Sequence, residues 1–187
     1  CVSTWDILDG RIEPGENVLL YDDQGAYNGP VCAEFMADRG SRVEVATPDR
    51  KLMVETQDIT FSPHMAELYK RGVVITPDLR ITQVYREGNR LVAVLRNEFV
   101  PDMEEERVVD QIVAEHGTLP EDELYFALKP RSRNLGAVDF QKLVEDLPPA
   151  IPKNPEGAFD LFRVGDAVAS RNIHAAIYDS LRLCKNF

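Results

Sequence analysis

Residues 17–47, NVLLYDDQGAYNGPVCAEFMADRGSRVEVAT, constrain the fold more than any other stretch of the chain. They follow a turn signal, Glu13-Pro14-Gly15-Glu16-Asn17. Residues 18–21 form a short apolar run of the kind a strand buried on both faces needs. A glycine-containing turn comes next. Residues 30–39 then place Val31, Cys32 and Phe35 on one helical face, with Pro30 suited to the first turn and Gly40 to a C-cap. Residues 43–47 alternate like a second strand. A helix between two strands makes the crossover right-handed and the strands parallel, so the stretch reads as a βαβ unit.

The turn is the anomaly. In G-x-G-x-x-G the first glycine makes the tight turn, the second lets the backbone approach a pyrophosphate, and the third lets helix and strand pack closely. Here those positions fall on Asp22, Gln24 and Tyr27, or, shifted by one, on Asp23, Gly25 and Asn28. Neither register supplies three glycines. A carboxylate facing a pyrophosphate at about 4 Å is repelled by roughly 4 kcal/mol at an effective dielectric of 20, about three orders of magnitude in affinity. The second strand ends Ala46-Thr47-Pro48, without an acidic residue for a ribose 2′-hydroxyl. Arg50 and Lys51 suit a 2′-phosphate, but exposed basic residues after a strand are common. Gly25 and Gly29 therefore read foremost as turn residues of a fold that has lost the nucleotide. The alternative is that residues 24–28 take another ligand, or NADPH in an altered pose.

Beyond this unit, residues 61–71 carry Met65, Leu68 and Tyr69 on one helical face, and Gly72 closes the helix. Residues 73–77 are strand-like. Two runs joined by Glu87-Gly88-Asn89 read as a hairpin. Glu104, Glu105 and Glu106 read as its solvated end, and residues 108–115 as one further strand. A β-meander is thus attached to a parallel βαβ unit. Residues 148–155, with four prolines, read as an extended crossover.

Composition excludes more than it selects. A net charge of -11 over 187 residues argues against nucleic acid, which needs a basic face. No apolar run approaches the roughly 20 residues that span a bilayer, and the N-terminus lacks a signal-peptide pattern, so a soluble cytoplasmic protein is expected. Cys1, Cys32 and Cys184 are too far apart for a metal-site or iron–sulfur spacing.

Two later segments carry a family resemblance. Residues 110–129, DQIVAEHGTLPEDELYFALK, resemble the strand-and-turn D-x-V-V-x-A-x-G-x-x-P that closes the nucleotide domain of FAD/NAD-linked disulfide reductases. Residues 161–184, LFRVGDAVASRNIHAAIYDSLRLC, resemble that group's apolar strand ending in Gly-Asp before a helix. With WDILDG near the start, this order resembles the C-terminal region of the NADH:flavin oxidoreductase group that includes 2,4-dienoyl-CoA reductase and trimethylamine dehydrogenase. The turn and the ending look most like its amine demethylase branch, of the dimethylglycine or N-methylproline type.

The resemblance implies an α/β, Rossmann-like FAD/NAD(P)-binding fold with a parallel sheet and a β-meander, followed by the C-terminal strand and helix of an adjoining FAD-type domain. It divides the chain into a linker (1–11), an NAD(P)H-type domain with a degenerate glycine turn (12–129), a Pro-rich crossover (130–157) and the end of the FAD-type domain (158–187). In the family a (β/α)8 barrel carries FMN and substrate, and a cysteine cluster carries a 4Fe-4S centre. This sequence has neither, and it opens on Cys1, so it is expected to be a piece of a longer oxidoreductase without tightly bound cofactor or activity of its own.

The implied cofactor-binding residues are Gly165 and Asp166 toward FAD or ADP, Gly117 and Thr118 at the nucleotide edge, and Gly25 and Gly29 in the turn. His174, in the first turn of the last helix, is either near that ligand or a helix-face residue. His64 reads as a capping or surface residue, His116 as a local hydrogen-bonding group and Cys32 as core. No catalytic constellation or metal site is seen. Two functions remain. One is a scaffold within an amine-demethylating enzyme, with the barrel and the rest of the FAD-type domain as intramolecular partners and an electron-transfer protein as an outside one. The other is a working NAD(P)H domain that feeds hydride to FAD. A last helix with Ile173, Ile177 and Leu181 on one face is expected to pack on the body of the chain or on a second copy.

Overall fold

The computed structural model describes residues 1–56, 58–145, 147 and 153–185. They belong to two compact units, Cys1–Gly117 and Thr118–Phe187. The first has a parallel sheet built from β1 (Val2–Ser3), β2 (Asn17–Asp22), β3 (Arg42–Ala46), β4 (Val74–Thr76) and β8 (Gln111–Glu115), in the order β1-β8-β2-β3-β4. Helix α1 (Thr4–Leu8) follows β1, α2 (Asn28–Asp38) joins β2 to β3, and α3 (Asp58–Lys70) joins β3 to β4. Between β4 and β8 the chain makes an antiparallel meander of β5 (Leu79–Glu87), β6 (Arg90–Asn97) and β7 (Glu104–Val109).

The apolar run of β2 is explained by what covers it. Val18 and Leu20 pack with Cys32, Ala33 and Met36 of α2, with Leu68 of α3, and with Val43 and Val45. Leu19 and Tyr21, on the opposite face, pack with Leu79, Ala93, Leu95 and Val109 of the meander. Helices cover one face and a second sheet covers the other, so no position of β2 between its ends is free to be polar.

Several elements differ from the sequence reading. Residues 108–115 form not one strand but two, in different sheets. Asp110 is the joint: its carboxylate accepts from both the backbone and the side chain of Asn17, at 2.9 and 2.8 Å. These bonds hold the carboxyl below its ordinary range. Residues 104–106 are strand rather than hairpin end, with Glu105 bonded to Arg107 and Glu106 to Tyr85. Helix α3 begins before residue 61 and carries Pro63 inside it.

Residues 1–11, read as a linker, contain β1 and α1. Ser3 and Asp6 form a reciprocal capping box there, and β1 pairs in parallel with β8.

The second unit holds α4 (Glu123–Leu128), α5 (Phe140–Val144) and α6 (Ile173–Cys184). Residues 161–164, expected as a strand, make no ladder among the described residues. Ser132 and Phe159 form an isolated bridge. The side chain of Asn134, fully buried, stands in for a strand partner: its Oδ1 accepts from the Leu161 amide at 2.9 Å and its Nδ2 donates to the Leu161 carbonyl at 2.8 Å. A parallel strand needs a neighbouring backbone, and here a side chain supplies those bonds instead. Of the proline stretch 148–155, residues 148–152 lie outside those described. Among the described residues no helix is long and apolar enough to cross a membrane.

Candidate functional site

The chain runs from β2 one way to β3 and β4, and returns to the other side of β2 through β8. The carboxyl ends of β2 and β8 therefore flank the point where strand order reverses, where open α/β sheets place their ligands. Asp22 and Glu115 are in-register neighbours at these two ends, and both are buried.

Asp22 does not face outward as the sequence reading has it. It is 0% exposed, and its Oδ1 accepts from the amides of Gln24 and Gly25, each at 3.1 Å. Its Oδ2 is buried without a hydrogen-bond partner. Burial pushes the Asp22 carboxyl up to about 6, the two amides pull against that, and the charges of Glu115 and Asp23 add to the rise.

Gly29, in the first turn of α2, leaves room for this carboxylate. A Cβ at residue 29 would overlap Oδ2 and Cγ of Asp22. Gly25 adopts a left-handed φ of +70°, and a Cβ there would overlap the Val54 side chain. The two sequence-selected glycines are thus both required by packing within the turn itself.

The surrounding groups are mostly acidic. The Glu115 carboxylate accepts from the Thr4 hydroxyl of α1 and from the Gly117 amide. Asp23 holds His116 through Nδ1 at 2.7 Å, leaving the imidazole 79% exposed. Burial and the charges of Asp23 and Glu55 raise Asp49. Gly117, at φ +73°, lies beside Gln24, whose Oε1 is a second buried acceptor without a partner. Cys32, behind the turn, is buried, and its thiol is pushed up to about 12 by that burial and by Glu115, so it is an inert core group.

The structure thus gathers Gly25, Gly29 and Gly117 at one sheet edge, together with Glu115 and Thr4, which the sequence reading passed over. The S-x-x-D pattern of Ser3-Asp6 was the signal available for α1. His64 lies inside α3 rather than at its start and bonds Glu34 of α2 at 3.0 Å.

Thr118, Gly165, Asp166 and His174 belong to the second unit. The Thr118 hydroxyl donates to Ser170 at 2.6 Å. Gly165 is buried at φ +58°, and a Cβ there would lie 3.1 Å from Ala176 of α6, so this turn presses on the helix. Asp166 and His174 are exposed, and Asn172 caps α6 by accepting from the Ala175 amide.

A cavity of about 730 Å³ lies in the same unit, walled by Tyr125, Arg163, Val168, Arg171, Arg182 and Leu183 among others. Arg163 bonds Asp122 at 2.8 Å and lies 4.6 Å from the centre of the Tyr125 ring, and Arg171 pairs with Asp179. Among the described residues no three His, Cys, Asp or Glu side chains are grouped to hold a metal ion.

No protein-family model matches the chain. Curated relatives match it from end to end. The chain is 48% identical over 190 residues to the N,N-dimethylglycine/sarcosine dehydrogenase of Chromohalobacter salexigens, covering 100% of this chain. It is 46% identical over 185 residues to the probable N-methylproline demethylase of Rhizobium meliloti, covering 99% of this chain. The chain spans 27% of the length of each.

Among solved structures, histamine dehydrogenase from Rhizobium sp. 4-9 has the same fold over 98% of this chain and 25% of its own, with a TM-score of 0.71 and 20% identity. The 6-hydroxypseudooxynicotine amine oxidase of Pseudomonas geniculata N1 shares it over 99% of this chain and 24% of its own, with a TM-score of 0.68 and 22% identity. A mixed α/β fold of this kind, joined to end-to-end similarity at nearly half identity, places the chain in the flavoprotein oxidoreductase family that holds these amine dehydrogenases and demethylases.

Proposed function

We propose that this chain is the C-terminal nucleotide-domain region of a multidomain flavin oxidoreductase that oxidatively demethylates or dehydrogenates a methylated amine. In that enzyme the region is a scaffold and a support for electron transfer, not a site of chemistry. The observation that carries the reading is the end-to-end match to two relatives whose names give that chemistry. The resemblance adds FMN and a 4Fe-4S centre in the remainder of the enzyme, with the (β/α)8 barrel and the other half of the FAD-type domain as intramolecular partners and an electron-transfer protein as an outside one. A cytoplasmic location goes with this reading.

Within the chain, the groups suited to FAD or ADP are in the second unit. Gly165 forms a tight left-handed turn against α6, Asp166 is exposed on that turn, and His174 lies in the first turn of the capped helix. A carboxylate suits a ribose or ribitol hydroxyl, and a helix start suits a phosphate. FAD, where bound, supplies electron acceptance. The residues themselves bind and orient, and they move no proton.

The second reading is a working NAD(P)H domain that passes hydride to FAD. What favours it is the retained strand order, with its reversal point between β2 and β8. Against it stands the closed, acidic turn at that point. Calorimetric titration with NADH and NADPH separates the two. The scaffold reading expects no submillimolar binding, and submillimolar binding sinks it.

A further inference from the structure

The turn between β2 and α2 offers backbone amides where a nucleotide-binding domain of this topology receives pyrophosphate. Those of Gln24 and Gly25 are already taken, both by Oδ1 of Asp22. We infer that Asp22 is a built-in anion: its carboxylate occupies the place of a ligand phosphate, and the turn excludes nucleotides by being filled from within.

Three features support the occupancy, and a fourth bears on any competing anion. Asp22 is fully buried, and its second oxygen, Oδ2, meets Gly29 in the first turn of α2, where no side chain other than hydrogen leaves it space. Helix α2 has no side-chain cap from Tyr27 and no acidic residue in its own first turn. The negative charge that stabilises a helix start is therefore brought to it by the preceding strand.

The turn is also roofed. Val54 lies over Gly25, and the Glu55 amide donates to the Gly25 carbonyl at 3.0 Å. Leu52 and Met53, just before, are anchored in the core of the unit. Finally, the charges acting on Asp22 are negative, so a second anion beside the ionised carboxylate is disfavoured. Glu115, held by the Thr4 hydroxyl of α1 and felt by the Cys32 thiol of α2, stands at the end of β8, Asp23 lies on the turn, and Asp49 feels both Asp23 and Glu55, while Gly29 is the α2 neighbour of Asp22 itself.

Occupancy and simple repulsion make different demands on residue 22. Asn keeps an Oδ1 acceptor for the two amides and removes the charge. Gly removes both. If charge alone excluded the ligand, Asn and Gly would open the turn equally. If occupancy excludes it, only Gly frees the amides.

The inference deepens the scaffold reading and rests on it for its meaning in the whole enzyme. The test uses the 187-residue chain labelled with 15N, with inorganic pyrophosphate and ADP as probes. In the wild type, the amide resonances of Gln24 and Gly25 are expected to move together with one titration, and that step is expected to vanish in Asp22→Asn. At neutral pH neither probe shifts them in the wild type or in Asp22→Asn, while Asp22→Gly gains at least tenfold in pyrophosphate affinity over Asp22→Asn.

Amides that ignore the Asp22 charge overturn the inference, and this arm needs no variant with a remodelled turn. An equal response of the Gly and Asn variants, whether both bind or neither does, also overturns it and leaves the scaffold reading intact. Submillimolar binding of ADP or pyrophosphate at these amides in the wild type overturns both.

Discussion

The two units differ in how their central elements are covered. In Cys1–Gly117, β2 is covered on one face by α2 and α3 and on the other by the meander, and Asp22 and Glu115 at the sheet edge are folded inward. In Thr118–Phe187, α4 has no buried residue, and α6 shows Ile173, Ile177, Tyr178 and Leu181 to solvent at 58–71% exposure. A cavity of about 730 Å³ opens in the same unit. The first unit closes its own core. The second carries an amphipathic helix whose Ile173, Ile177, Tyr178 and Leu181 stay exposed among the described residues.

The contrast breaks most sharply in the core of the first unit. Leu20→Ala removes a fully buried side chain packed between β2 and α2, and it is expected to cost about 3 kcal/mol by chemical denaturation. A loss below about 1 kcal/mol would mean that the first unit is as loosely closed as the second.

Next comes the pH dependence of the sealed turn. The Asp22 carboxyl is raised from 3.8 to about 6 in the folded chain, mainly by burial. Between those values the folded state holds a proton that the unfolded state has released. Stability from this group is thus fully present below about pH 4 and is lost as pH rises through 6, by about 3 kcal/mol in all. Asp22→Asn removes this dependence. The difference between wild type and variant, measured in urea at a series of pH values, should therefore slope across pH 4–6 and flatten above pH 7. Parallel curves would place the Asp22 carboxyl in water.

Gly29→Ala sharpens the same comparison at smaller scale. A methyl at residue 29 overlaps the Asp22 carboxylate, and the expected cost is about 1–3 kcal/mol. The cost should shrink in an Asp22→Gly background, because the overlapping atoms are gone. A double-mutant cycle in denaturant reads the coupling, and strict additivity would separate Gly29 from Asp22.

What the sequence made legible was decided by local chemistry. Residues 18–21 announced a doubly covered strand because every side chain in it is apolar. Glu87-Gly88-Asn89 announced the β5–β6 hairpin, and Gly88 does take a left-handed φ of +58°. Groups whose partners are distant in sequence stayed hidden. Asp110 looks like an ordinary strand residue until Asn17 is found beside it, and Glu115 looks like a strand end until Thr4 and Gly117 converge on it. The acidic turn was noticed, but not its sense. Repulsion is what two aspartates suggest in one dimension, whereas a carboxylate turned inward onto two amides needs Gly29 and Val54 to be in place. In the second unit, residues 161–164 have a strand's pattern without a strand's neighbour among the described residues. Pattern reports what a segment is able to pair with, not whether the pairing backbone is present.

The same distinction yields the smallest effect on stability and the clearest readout of cover. Ile177→Gln with Leu181→Gln replaces two exposed apolar side chains on α6, and away from the core such changes alter stability by no more than about 0.5 kcal/mol. If a second copy of this chain covers the stripe, the wild type runs as a dimer by size exclusion with light scattering and the double variant as a monomer. If the cover belongs to the rest of the enzyme, both run as monomers, and the double variant differs only by reduced aggregation on heating. A large stability loss in the double variant would show that the stripe is buried against its own unit, and the contrast between a closed unit and an open one would then fail.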